Sequence, residues 1–194
     1  MITKKDITGI VLAGGKSSRM GTDKGLLLFQ NTPFVQHSIN ALDCLVSDIL
    51  LVSNNVAYDV FKVKRVQDSV VDFGPVAGIY AGLSASLTPY NIVLSCDIPL
   101  IQTVILEKLL NAVDKTSEVI LIESDGRKMP LIALYKKECM FQFKDAIEAK
   151  EHKLQKVLGK LKVKSVLLTK EEEELVTNVN TKEELNAIID DDNS

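Results

Sequence analysis

Apolar residues follow two rhythms along this chain. Short, near-continuous runs rich in β-branched residues alternate with longer stretches in which apolar positions recur every three or four residues. The first rhythm predicts buried strands and the second predicts amphipathic helices. The first strand is 7–13 (ITGIVLA), closed by Gly14-Gly15. Residues 33–46 predict a helix with Pro33 as its first residue, and Asp48–Val52 (DILLV) a second strand closed by Ser53-Asn54-Asn55. A short helix over 57–62 and a short strand over 64–67 lead to Asp68. Gly74-Pro75 opens a helix of small residues over 75–86, and the next strand, 91–95, runs into Cys96-Asp97-Ile98-Pro99. Thr103 is placed to cap a helix over 104–113. Runs at 118–123 and 130–135 flank Asp125-Gly126, a hairpin turn pair. A helix over 137–150 and a strand over 164–168 follow. Thr181 then caps a C-terminal helix, with Glu184 in capping-box register.

Strands alternating with helices, each strand apolar along its length, predict an α/β protein with a mainly parallel sheet. No internal repeat or glycine/proline-rich linker divides the chain. Residues 1–189 are expected to form a single domain, with 190–194 a frayed acidic tail.

The composition, 46% hydrophobic and 25% charged over 194 residues, is that of an ordinary globular chain and excludes collagen-like and disordered classes. The net charge is −3, but residues 170–194 alone carry −7, leaving +4 on the first 169. The whole chain therefore has no general attraction for nucleic acid or an anionic membrane, while its body can accept a small anion. No apolar run approaches the ~20 residues a bilayer requires, and residues 1–6 lack the features of a secretory signal. Cys44, Cys96 and Cys139 are odd in number and widely spaced. This disfavours a disulfide framework or zinc site and fits a cytoplasmic location. His37 and His152 are the only imidazoles, too few for a multi-histidine metal centre.

Ligands of open α/β sheets bind beyond the carboxyl ends of the strands, and three such ends carry unusual residues. After the first strand come two glycines and a loop with Lys16, Arg19 and Lys24. Glycines let backbone N–H groups approach a ligand, and the cations can neutralise phosphate oxygens. A triphosphate suits such a loop; a solvated loop with incidental lysines is the plainer alternative. The Walker A spacing fails because Ile10 stands where a glycine is needed, and no Gly-x-Gly-x-x-Gly occurs in the loop. Asp97 directly follows a buried strand, where a carboxylate needs a partner. It suits Mg²⁺ held jointly with substrate phosphates, or a turn or cap. Asp68 can accept from a ribose or base, and Asp72 reads as a turn residue. Asn178 and Asn180 offer two amides before the last helix, for a polar substrate, a metal shell or capping.

The segment LAGGKSSRMGTDK (12–24), the stretch Gly74-Pro75-Val76-Ala77-Gly78-Ile79, Ser95-Cys96-Asp97-Ile98-Pro99 and Asn178-Val179-Asn180-Thr181 occur in one order along nearly the whole chain. Together they resemble the molybdenum cofactor guanylyltransferases, nucleotidyltransferases with the sugar-nucleotide pyrophosphorylase fold. The resemblance implies a three-layer sandwich around a Rossmann-like central sheet. It implies Mg²⁺-dependent transfer of GMP from GTP to the terminal phosphate of molybdenum-loaded molybdopterin, releasing pyrophosphate. In those terms Leu12, Ala13, Gly14 and Gly15 border the guanine through backbone groups. Arg19 and Lys24 hold the triphosphate, Asp68 contacts the nucleoside, Asp97 ligates magnesium, and Asn178 and Asn180 face the acceptor. Transient contact with other molybdenum cofactor proteins is expected of such a pathway. The chain departs from the family at Met129, where a histidine is usual. Either Asn54 or Asn55 aligns with a nucleoside-contacting asparagine. A cytidylyltransferase of the same fold is the main alternative, and a non-catalytic nucleotide binder the second.

Overall fold

The computed structural model describes residues 2–14, 23–68, 70 and 73–192. Strands β1 (Ile7–Leu12), β4 (Asp48–Val52), β5 (Lys64–Val66), β6 (Tyr90–Ser95), β7 (Val119–Ser124), β8 (Arg127–Lys136) and β9 (Val163–Leu167) form one sheet in the order β5-β4-β1-β6-β8-β7-β9. Strands β2 (Leu28–Phe29) and β3 (Thr32–Pro33) form a separate small hairpin. Every pairing in the large sheet is parallel except the two made by β8, so the mainly parallel expectation stands, with one reversed strand.

The sheet is buried on both faces, which is why its strands read as continuous apolar runs. Val11, Leu51 and Leu94 turn towards helices α1 (Phe34–Asp43) and α3 (Thr103–Asn111). Their neighbours Ile10, Leu50 and Val93 turn towards α2 (Pro75–Ala85), α4 (Met140–Glu148) and α5 (Leu154–Leu158). A third cluster joins Phe29, Phe34 and Val179 with Leu185 and Ile188. It pins the segment after α6 (Lys170–Glu173) and helix α7 (Lys182–Asp192) against the β2–β3 hairpin. Helix α7 runs through Asp192.

The hairpin turn at Asp125-Gly126 is as predicted: both residues have positive φ, 47° and 68°, the backbone a type I′ turn requires. The register then breaks, with Leu121 opposite Ala133 but Ile122 opposite Met129. Pro130 lacks the N–H that the ladder would use, and the strand bulges there. The Tyr135 hydroxyl donates to the Pro130 carbonyl at 2.8 Å.

The expected helix over 137–150 opens as a 3-10 turn over Lys137–Cys139 before α4, and the boundary residues of α1 and α3 also differ from expectation. Pro33 is the residue before α1 rather than its first. Thr103 is the first residue of α3 rather than its cap, and its hydroxyl donates to the Ala41 carbonyl at 3.0 Å, tying α3 to α1. Among the described residues no helix is long and apolar enough to cross a membrane.

Topology determines where a ligand can sit. From β1 the chain builds outward through β4 to β5, then returns over the sheet to place β6 on the other side of β1. Leu12 lies level with both Val52 and Ser95. The sheet order reverses between β1 and β6, and a crevice opens beyond their carboxyl ends.

Candidate active site

A cleft of about 740 Å³ occupies that crevice, within the size range of small-molecule sites. Leu12, Gly14, Lys24, Asp68 and Asp97 all line it, with Asp23, Asn54, Asn55, Gly74 and Leu131. Leu131 reaches it from the bulged stretch of β8. Lys24, the carboxylate after β6 and the carboxylate after β5 thus meet in one place.

Ala13 does not line the cleft. It is fully buried, and its N–H donates to the Val52 carbonyl at 3.0 Å. The Leu12 carbonyl accepts from the Cys96 N–H at 3.2 Å. These two groups close the sheet, so they are not turned to a base; Gly14 is the exposed member of the trio. Gly15, Arg19, Lys16 and Asp72 lie outside the described residues.

Lys24 Nζ donates to Asn180 Oδ1 at 2.7 Å, an interaction between segments at opposite ends of the chain. The Val179 N–H donates to the Asp97 carbonyl at 2.8 Å. Val179 is buried in the third apolar cluster and plugs this turn against the hairpin. The lysine, the Asn180 amide and the Asp97 loop are therefore held as a unit. Asn178 is half-buried and is not among the lining residues.

Asp97 Oδ1 is buried and accepts no hydrogen bond among the described residues. A carboxylate oxygen withdrawn from water without a partner is costly, and a divalent cation is a partner that satisfies it. Among the described residues no group of three or more His, Cys, Asp or Glu side chains could hold a metal. Asp97 suits a magnesium ion whose other ligands come from phosphates and water. Burial, with Asp97 and Asp23 nearby, pushes the Cys96 thiol far above its usual range, so Cys96 packs rather than attacks.

On the opposite wall, Asp68 Oδ1 accepts from the Val70 N–H at 3.0 Å. Burial raises its carboxyl above the usual range, and that bond partly opposes the shift. Asn54 Nδ2 donates to the Asp68 carbonyl at 2.9 Å. Asn55 is committed elsewhere: its Oδ1 accepts from the Ala57 N–H at 3.0 Å and its Nδ2 donates to Asp23 Oδ2 at 3.0 Å. Of the two asparagines, Asn54 is the exposed one. Met129 packs against the core on the α1/α3 face.

Sequence reasoning missed Tyr58. Its buried hydroxyl donates to Asp23 Oδ1, 35 residues away in the chain. The sequence shows only an aromatic residue in the short, mostly apolar stretch VAYDVF (56–61).

The sequence profile described as "MobA-like NTP transferase domain" matches residues 9–166. A Flavobacterium johnsoniae protein named "Probable molybdenum cofactor guanylyltransferase" is 39% identical over 180 residues, covering 93% of this chain and 95% of the relative. A Cupriavidus metallidurans "Molybdenum cofactor guanylyltransferase" is 39% identical over 136 residues, covering 66% of this chain and 67% of the relative. The crystal structure of molybdopterin-guanine dinucleotide biosynthesis protein A from Archaeoglobus fulgidus shares the fold, with a TM-score of 0.79 at 19% identity over 96% of this chain and 98% of its own. With the profile matching residues 9–166 and a relative aligned over most of its own length, this chain belongs to the MobA-like NTP transferase family.

Proposed function

We propose that the protein transfers GMP from GTP to the terminal phosphate of molybdenum-loaded molybdopterin, giving the guanine dinucleotide cofactor and pyrophosphate. The observation that carries this reading is the meeting of Lys24 and Asp97 in one cleft, with Asp97 Oδ1 buried and unpartnered. Family membership and the names of the aligned relatives support the choice of nucleotide and acceptor.

An oxygen of the acceptor phosphate attacks the α-phosphorus of GTP, the bond from that phosphorus to the bridging oxygen breaks, and pyrophosphate leaves with the electron pair. The attacking group is already an anion, so no covalent enzyme intermediate is needed. The protein's work is positioning and charge neutralisation. Lys24, held towards the cleft by Asn180, stabilises charge growing on the departing phosphates. Arg19 is assigned to the same clamp. Asp68 and Gly14 border the nucleoside, with Leu12 beside them, and Gly15 is assigned to the same part of the reaction. Asp97 would hold Mg²⁺, which supplies neutralisation of phosphate oxygens when bound. Asn180 braces the clamp from the acceptor side, next to Asn178.

Pyrophosphate release with GTP, Mg²⁺ and molybdenum-loaded molybdopterin tests the reaction. A thermal-shift panel of GTP, CTP, ATP and UTP with Mg²⁺ tests the base. Stronger stabilisation by CTP than by GTP would overturn the guanylyl assignment.

A further inference from the structure

The Lys24 ammonium is carried on a stem whose place is set by one carboxylate. Asp23 Oδ1 accepts from the Gly25 N–H at 3.2 Å and from the Tyr58 hydroxyl, and Oδ2 accepts from Asn55 Nδ2 at 3.0 Å. Both side-chain donors come from one 3-10 turn, Val56–Phe61, and from Asn55, which opens it. Tyr58 is fully buried, with its ring 5.9 Å from that of Phe61. Burial, then the neighbouring Cys96 and Asp23, push its phenol far above the usual range, so it remains a donor.

There is no slack between phenol and stem. A Cβ placed on Gly25 would collide with the Tyr58 hydroxyl and come within 3.1 Å of Cys96 Sγ. Asp23 itself lines the cleft, where a bare carboxylate would repel a phosphate chain. Three donors on its two oxygens engage that charge and aim the next residue, Lys24.

We propose that Tyr58 is a positioning residue for the transfer reaction: by holding Asp23 it sets where the Lys24 ammonium meets the departing phosphates. This rests on the role given to Lys24 above. The phenol touches no substrate and acts only through the stem.

Tyr58→Phe keeps the buried ring and removes one donor. Asp23→Asn, which keeps the shape and removes the charge, is the second variant should Tyr58→Phe not fold. Thr8→Val is the control; it loses a buried hydroxyl pair with Thr88 (2.7 Å) at the other end of the strands. Single-turnover GMP transfer and calorimetric binding of Mg²⁺·GTP are measured for these, for Lys24→Ala and for Tyr58→Phe combined with Lys24→Ala. Displacing the clamp by a fraction of an ångström should slow transfer by about tenfold, with a smaller change in GTP binding. The control should transfer at the wild-type rate despite its lower Tm. On the Lys24→Ala background, Tyr58→Phe should cost nothing further. An equal fractional loss with and without Lys24, or a wild-type rate in both Tyr58→Phe and Asp23→Asn, overturns the proposal. If Lys24→Ala alone transfers at the wild-type rate, the clamp reading fails first and this inference with it.

Discussion

Replacing Asp97 with asparagine should stabilise the ligand-free protein while abolishing its response to magnesium nucleotide. Asp97 Oδ1 is buried without a hydrogen-bond donor, and such an oxygen costs about 1–3 kcal/mol, more when its group is charged. Asparagine keeps the shape and a carbonyl-type oxygen but removes the charge. A gain on the order of 1 kcal/mol follows, or roughly 2–4 °C in Tm for a chain of this size. Wild-type protein with Mg²⁺·GTP at a hundred times its Kd should gain about 2.7 kcal/mol, roughly 5–10 °C; the variant should lose most of that shift. Scanning fluorimetry with and without Mg²⁺·GTP reads both effects on one plate. The reasoning is refuted if Asp97→Asn melts lower than wild type when ligand-free and still shows the full nucleotide shift. That pattern would make Asp97 a structural turn carboxylate.

Lys24→Ala should slow pyrophosphate release by about 10²-fold or more with little change in Tm; a large Tm loss with unchanged turnover would make the basic loop structural. Asn91 is fully buried in β6, and neither of its amide atoms has a hydrogen-bond partner among the described residues. Asn91→Leu should therefore raise stability by about 1–3 kcal/mol in a urea titration, and a lower midpoint would mean that the amide is satisfied by internal water. The Asp114 carboxyl is held well below its usual range, first by the Ser117 and Thr116 N–H groups. A depressed folded value stabilises above the unfolded pKa of roughly 4 and is lost as pH falls through the folded value. Asp114→Asn should thus melt below wild type at pH 7, and the gap should close as pH drops below about 4; a constant gap from pH 7 to 2 would contradict this.

The sheet was legible because burial on both faces writes each parallel strand as an apolar run, and β4 was bounded to the residue. The lining of the candidate cleft was legible wherever it follows such a run: Gly14 after β1, Asp68 beyond β5, Asp97 after β6. Interactions across the fold were not legible. Thr103 looks like a cap, but the α1 carbonyl it meets is visible only once the helices pack. Ala13 sits in the segment LAGGKSSRMGTDK, yet the sheet uses its N–H. The β2–β3 hairpin turns at Gln30 and Asn31, both at positive φ, without the glycine that marks such turns. Tyr58 meets Asp23 only because the turn after β4 packs beside residues 23–25.

The bond between Lys24 and Asn180 joins residues 156 positions apart. During synthesis, every strand of the sheet leaves the ribosome ahead of that amide, and N-terminal regions of a chain fold first. A nascent chain can complete its architecture while its lysine still lacks its brace. If Lys24 has the role proposed for it, competence for chemistry is acquired after shape, when Val179 drops into its apolar socket and brings the amide to the ammonium.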